Sequence, residues 1–345
     1  MVCGTFWQKA SAQEFVFSQA GILRHALNPA RVADMAEDGR GTVAYRNQWY
    51  AANLPYNTLY ASAEGAIRRK ASSQLQRIGA QLSFASDDMA KGIIKTDWIQ
   101  LASSYTQNLD VARRHQLSGG LGIALQVRKF GGSSLTFDNQ FSEQSLIYNQ
   151  ALASGENFAN GKQTFVQVSL GAAYRFYASE RFSLRADAAF LGLNSLNETF
   201  STTGNYDAFK QKRRLSGSLS ARYQATNTMA VEPLLYHNRQ GPAFESLLGA
   251  WLLFGQSKYS AHNVQFGPGV FLRPADAIVA GARLEYDRLS AAITYDATTS
   301  QARNAKTQNG LVGVGGLGTV ELSLQYRFWY KRPNDGPKSI PCRAF

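Results

Sequence analysis

Nowhere in this 345-residue chain do about 18 apolar residues follow one another, the run an α-helix needs to cross a bilayer, and the mean hydropathy is −0.27. A helical membrane protein is excluded. A β-barrel is not, because a barrel strand shows lipid only at every second residue and averages to weakly polar. Cysteine is nearly absent: Cys3 and Cys342 lie near opposite ends, with no spacing that suggests zinc, redox chemistry or a disulfide scaffold. There are only four histidines, His25, His115, His237 and His262, and no two have metal-ligand spacing. The N-terminus lacks the basic start and apolar stretch of a secretory signal and keeps only a small-x-small site, Ala10-Ser11-Ala12. We therefore expect residues 1–12 to be a signal-peptide remnant and the mature chain to begin at Gln13. Acidic residues are the minority, 24 against 36 basic, for a net charge of +12. That excess admits a nucleic acid, an acidic lipid surface or a basic lumen, and the placement of the charges must decide.

What is present, from residue 41 onward, is a period of two. Val320, Leu322, Leu324, Tyr326 and Phe328 alternate with Glu321, Ser323, Gln325 and Arg327. Side chains point to opposite faces along a strand, so this segment has one oily and one wet face. The same holds for Phe182 to Phe190 against Arg181 to Asp187, for Leu215 to Tyr223 against Arg214 to Arg222, and for Ile278 to Tyr286 against Arg283, Glu285 and Asp287. Such runs predict strands near 41–50, 56–67, 75–86, 95–107, 114–130, 163–178, 181–194, 211–225, 229–239, 244–255, 264–273, 276–287, 288–297 and 317–329. Fourteen is an even number, as a closed barrel of hairpins requires, and several runs reach the ~9–11 residues that cross a bilayer.

The expected fold is all-β: a closed antiparallel transmembrane β-barrel of about fourteen strands over 41–330. An N-terminal segment, 13–40, lies below or plugs the lumen, and a short C-terminal tail covers 331–345. Tight turns are read at 178–180, 225–228, 273–276 and 286–288, long loops near 131–162, 195–210 and 298–316. Short turns are expected on one rim and long loops on the other, outer rim. Aromatic residues gather near strand ends (Trp49-Tyr50, Tyr174 to Tyr177, Phe328-Trp329-Tyr330), which favours interfacial girdles over an aromatic core.

The charges fall on the wet phase. Arg175, Arg185, Arg214, Arg222, Arg283 and Arg327 share it with Asp187, Glu285 and Glu321. An Arg facing mid-bilayer lipid costs about 2–4 kcal/mol, which explains the confinement and describes a polar lumen rather than a nucleic-acid stripe. In Tyr45-Arg46-Asn47-Gln48-Trp49, Arg46 and Gln48 take the face opposite Tyr45 and Trp49, so Arg46 is expected to pair with a carboxylate in the lumen. Asn28-Pro29-Ala30 reads as a turn that Asn caps and Pro fixes.

Catalytic signals are weak. His237 lies in a strand with Ser246 as the nearest serine, the one arrangement a barrel hydrolase could use. Gly313 to Gly318 lacks the Lys-Ser/Thr pair and the helix of a phosphate loop. Asn197-Glu198-Thr199 matches a glycosylation sequon by chance. No enzyme, cofactor or metal is expected.

The ordered set of motifs resembles the PorP/SprF family of the type IX secretion system. It comprises Gln13 to Gln19, Leu27-Asn28-Pro29-Ala30, Tyr45 to Trp49, Asp138-Asn139-Gln140-Phe141, Ser154-Gly155-Glu156, Arg239 to Ala243, Leu284-Glu285-Tyr286, Ile293 to Asp296, Glu321 to Leu324, and a tail ending in Cys342 and Phe345. The tail reads Cys342-Arg343-Ala344-Phe345 where the family pattern has a proline after the cysteine. The resemblance implies an outer-membrane protein that aids the secretion or surface anchoring of cargo, with a link to gliding motility. It implies outer-membrane lipids, secretion components and a cargo protein or its C-terminal domain as partners. It makes Asn28, Pro29, Ala30, Tyr45, Arg46, Gln48, Trp49, Cys342 and Phe345 the partner-contact candidates. The alternative is a passive pore or transporter with a basic lumen.

Overall fold

The computed structural model describes residues 16–49, 55–71, 74–131, 138–142, 147–149, 151–152, 161–194, 196–197, 210–256, 264–299 and 318–330. Cys342, Phe345, the tail 331–345 and the start of the chain lie outside them, as do Ser154-Gly155-Glu156 and residues 313–317. Fourteen antiparallel strands close into a barrel. They are β1 Gly39–Gln48, β2 Tyr56–Ala71, β3 Gln74–Met89, β4 Ile94–Asn108, β5 His115–Phe130, β6 Lys162–Tyr177, β7 Phe182–Leu191, β8 Arg214–Gln224, β9 Met229–Gln240, β10 Ala243–Gln256, β11 Val264–Arg273, β12 Ala277–Tyr286, β13 Leu289–Thr298 and β14 Gly318–Phe328. Each pairs with its sequence neighbour, and β1 closes on β14 in the register Gly39↔Phe328 to Gln48↔Thr319. Closure leaves no edge strand, so the ladder satisfies the strand backbone in lipid.

The two-residue alternation sorts side chains as it predicts. Leu219, Leu322, Leu324, Ile278 and Val270 are exposed on the outer face, whereas Ser216, Ser220, Glu321, Ser323 and Gln325 are buried inside. An apolar belt running round the whole barrel far exceeds the patches a water-soluble monomer exposes, so its solvent is the hydrocarbon of a bilayer. Leu219 sits mid-strand in β8. Leu219→Arg is expected to lower unfolding stability in lipid vesicles by about 2–4 kcal/mol, read from urea titrations; an unchanged midpoint would contradict a lipid-facing β8.

The long connections 131–161, 192–213 and 299–317 share one rim, and 178–181, 225–228 and 287–288 share the opposite one, together with the start of β1 and the end of β14. The turn at Arg273 to Asp276 departs from the expected asymmetry. Chain alternation puts it on the long-loop rim, because β11 rises from the short-turn side. The long-loop rim also carries two small hairpins, Phe141–Ser142 with Ile147–Tyr148 and Leu196–Asn197 with Lys210–Gln211.

Aromatics do gather at the rims: Trp49 meets Tyr56 edge-on at 5.1 Å, and Phe328 meets Tyr330 at 5.3 Å. The girdle reading is nevertheless incomplete. Tyr60, Trp98, Tyr236, Trp251 and Phe271 point inward from the wall and are buried inside the barrel. They are there because the lumen contains a polypeptide that offers them an apolar surface.

Candidate functional site in the lumen

That polypeptide is the N-terminal segment, residues 16–38. It has little regular structure: a one-turn helix α1, Arg24–Leu27, and a 3-10 turn, Pro29–Arg31. An irregular backbone buried this deep needs partners for its N–H and C=O groups, and the wet face of the wall supplies them. Glu321 accepts from the Ser18 N–H at 2.8 Å and the Gln19 N–H at 3.0 Å. Glu64 accepts from the Ala33 N–H at 2.6 Å. Gln325 donates to the Ile22 carbonyl at 3.2 Å, Ser104 to Val32 at 2.7 Å and Arg77 to Met35 at 2.8 Å.

Apolar contacts complete the seat. Val16, Ala20, Ile22 and Leu27 cluster with Leu234, Tyr236, Leu247, Trp251 and Phe271; Phe17 and Leu23 cluster with Ala44, Tyr60, Ala85 and Trp98. Burying each large side chain contributes about 1.5–3 kcal/mol. Asn28, Pro29 and Ala30 lie flat on the wall. The Asn28 side chain accepts from the Ala30 N–H at 2.8 Å, the cap foreseen for this turn, and donates to the carbonyls of Ala172 and Ala188 and to Asp187. The wall here is glycine. A Cβ on Gly120 would lie 2.3 Å from the Pro29 carbonyl carbon, and one on Gly171 2.0 Å from Asn28 Oδ1.

Among the motif residues, Arg46 donates from Nε to Glu321 at 3.1 Å, so one carboxylate both neutralises Arg46 and holds Ser18-Gln19. Thr294 receives a bond from Gln19 at 3.4 Å, Asp296 accepts from the Ser18 hydroxyl at 2.5 Å, and Ser323 donates to Gln19. Tyr45 faces outward and donates to Asn57 at 3.0 Å. Gln48 is half-buried at the end of β1, and Trp49 lies beside it on the long-loop rim.

The nine wet-phase charges named from the sequence all lie on the inner face. Arg175 bonds to Asp34, Arg222 and Arg283 to Glu232, and Arg283 also to Glu285. Arg327 stands 3.8 Å from Glu37, and Asp187 stands 3.7 Å from Arg31. Arg185 and Arg214 are buried. Several lumen residues escaped the sequence reading: Glu64, Asp34, Glu232, Arg24 and the two seat glycines. Glu64 and Glu232 could have been found on the wet phase of their strands. Asp34 and Arg24 belong to an aperiodic segment and carry no such signal. Burial alone would push the Asp34 carboxyl up, but the guanidinium groups of Arg175, Arg31, Arg185 and Arg77 outweigh it and hold Asp34 well below the usual carboxylate range.

The structure also brings the one catalytic candidate together. His237 Nδ1 is 2.8 Å from Ser246 Oγ across the β9–β10 pair. Both lie on the outer face, and among the described residues no carboxylate orients the imidazole. A nucleophile with a base but no orienting group lacks the triad logic. His237→Ala is expected to change unfolding stability by no more than about 0.5 kcal/mol, since an exposed residue of this kind carries little energy; turnover of an ester substrate by the wild-type chain that the variant loses would revive a hydrolytic role.

Comparison with known proteins agrees with the barrel. A sequence model for the type IX secretion system membrane protein PorP/SprF matches residues 10–326. No protein in the curated set matches by sequence. Among solved structures, a FadL homologue from Pseudomonas aeruginosa superposes with a TM-score of 0.50 at 11% identity, covering 87% of this chain and 93% of that one. The Ralstonia pickettii toluene transporter TbuX gives 0.48 at 10% identity, covering 91% and 94%. At such identities the likeness concerns the fold alone.

Proposed function

The chain belongs to the PorP/SprF family of type IX secretion system membrane proteins, and from that membership we propose an outer-membrane barrel that works by docking rather than by conduction. It aids the secretion or surface anchoring of cargo proteins by binding cargo and partner subunits at its rims. The observation that carries this reading is the filled lumen: residues 16–38 cross it, bonded to walls as far apart as β2, β6 and β14. A passive pore, the competing reading, needs that segment to leave.

The long-loop rim supplies a contact surface. Phe141 and Tyr148 pack edge-on at 5.2 Å, and with Ile147 and Leu152 they remain exposed. Gln140 joins the hairpin to the following residues of the loop by donating to the Leu152 carbonyl at 3.0 Å. Exposed aromatics paired on a loop are the kind of group that anchors a protein partner.

Purification from outer membranes in mild detergent, followed by mass spectrometry, tests the proposal. Secretion components or a large surface protein are expected to co-purify, and a Phe141→Ser/Tyr148→Ser variant is expected to lose them while still folding. A lone barrel that conducts ions in a planar bilayer would overturn the reading in favour of the pore.

A further inference from the structure

One lumenal cavity is lined by seven arginines, of which five sit in ion pairs with carboxylates. This cavity of about 80 Å³ lies on the short-turn side of the N-terminal segment, and Arg24, Arg31, Arg40, Arg185, Arg222, Arg283 and Arg327 all line it. Its acidic lining is Asp34, Glu232 and Glu285. Asp34 is taken by Arg31 at 3.1 Å, with Arg175 and Arg77 also on it; Glu232 is taken by Arg222 and Arg283, and Glu285 by Arg283. Outside the lining, Glu64 holds Arg40 at 2.6 Å and Glu37 faces Arg327.

Arg24 and Arg185 remain. Nε and Nη1 of Arg24, and Nε and Nη2 of Arg185, are shut off from solvent without a hydrogen-bond partner. Arg185 as a residue is only 8% exposed. The two come from unrelated elements, the start of α1 and strand β7, yet face one space. The nearby carboxylates are already held by other arginines, Asp34 by Arg31, Arg175 and Arg77 and Glu232 by Arg222 and Arg283. Buried guanidinium N–H groups without a direct partner are costly, and these two add positive charge to one space, so an anion between them is stabilising.

We infer that this cavity is a binding site for a small doubly charged oxyanion, phosphate or a phosphate monoester, held between Arg24 and Arg185. Two positive charges in excess match two negative ones, and guanidinium N–H pairs match the oxygens of a phosphate in bidentate fashion. The cavity has room for several water molecules, and so for one oxyanion in their place, but not for a peptide. The bound anion would tie α1 to β7 and so strengthen the seat of the N-terminal segment. The inference stands on the lumen geometry and is independent of the docking reading.

The test is thermal unfolding of the purified full chain in detergent, titrated with sodium phosphate against sodium chloride at matched ionic strength. Phosphate is expected to raise Tm beyond chloride in a saturable manner. Arg185→Gln and Arg24→Gln are each expected to raise the half-saturating concentration roughly tenfold, the loss of one charge-assisted contact. Arg239→Gln, which removes a charge on the exposed face, should leave it unchanged. Saturation by glycerol 3-phosphate but not by inorganic phosphate would assign a monoester, and the reverse the free ion. Shifts with inorganic phosphate and with glycerol 3-phosphate that both equal the shift with chloride in the wild-type chain overturn the site, as does an unaltered response in the Arg24→Gln/Arg185→Gln double variant. If either variant fails to fold, the wild-type comparison of the two phosphates with chloride still decides.

Discussion

Glu321→Ala is expected to cost about 3–5 kcal/mol of unfolding stability, because it strands Arg46 as an unpaired buried charge, and to loosen the lumen. Three groups lose their acceptor at once: the guanidinium of Arg46 and the N–H groups of Ser18 and Gln19. The rest of the Ser18-Gln19 seat, on Thr294, Asp296 and Ser323, engages the Ser18 hydroxyl and the Gln19 side-chain amide and leaves the two backbone N–H groups without an acceptor. Urea unfolding in detergent would report the stability, and planar-bilayer recording the release of the segment as intermittent conductance. Arg46→Met added to Glu321→Ala is expected to regain part of the lost stability, since removing both partners leaves no orphan charge. A single variant as stable and as closed as wild type would show that the segment is held elsewhere.

Gly120→Val and Gly171→Val are the second pair with large expected effects. Their Cβ atoms would meet backbone or side-chain atoms of Asn28 to Ala30 at 2.3 Å and 2.0 Å, and the wall of a closed barrel cannot retreat. Overpacking of this kind costs about 1–3 kcal/mol even where neighbours relax, so the segment should lift from β5 and β6. Limited proteolysis reads this directly as new cleavage within residues 16–38. Gly119→Ala is the control: that position has nothing within 4 Å of an added Cβ, so no change in cleavage is expected. Full protection of Gly171→Val would mean that Asn28 does not need its place against the wall.

The strands were legible because their signal is local. Alternation along β8, β12 and β14 depends only on side chains pointing to opposite faces, so the oily and wet phases could be read residue by residue. Arg46 could likewise be expected to need a carboxylate. Which carboxylate could not be read, nor that the same one would hold a backbone 303 residues earlier in the chain.

By itself, then, the sequence determined an even-stranded transmembrane barrel, its lipid-facing residues, its polar lumen and its family. Tertiary structure alone decided that residues 16–38 enter that lumen, that Gly120 and Gly171 form their seat, and that the turn at Arg273 to Asp276 joins the long-loop rim. It also decided that Arg24 and Arg185 line one cavity and that His237 meets Ser246 on the outer face. The physical reason is one of range. A strand's pattern is written in neighbours two residues apart, whereas an aperiodic segment in a closed barrel takes its place from groups on many strands at once, and no local regularity records where those groups converge.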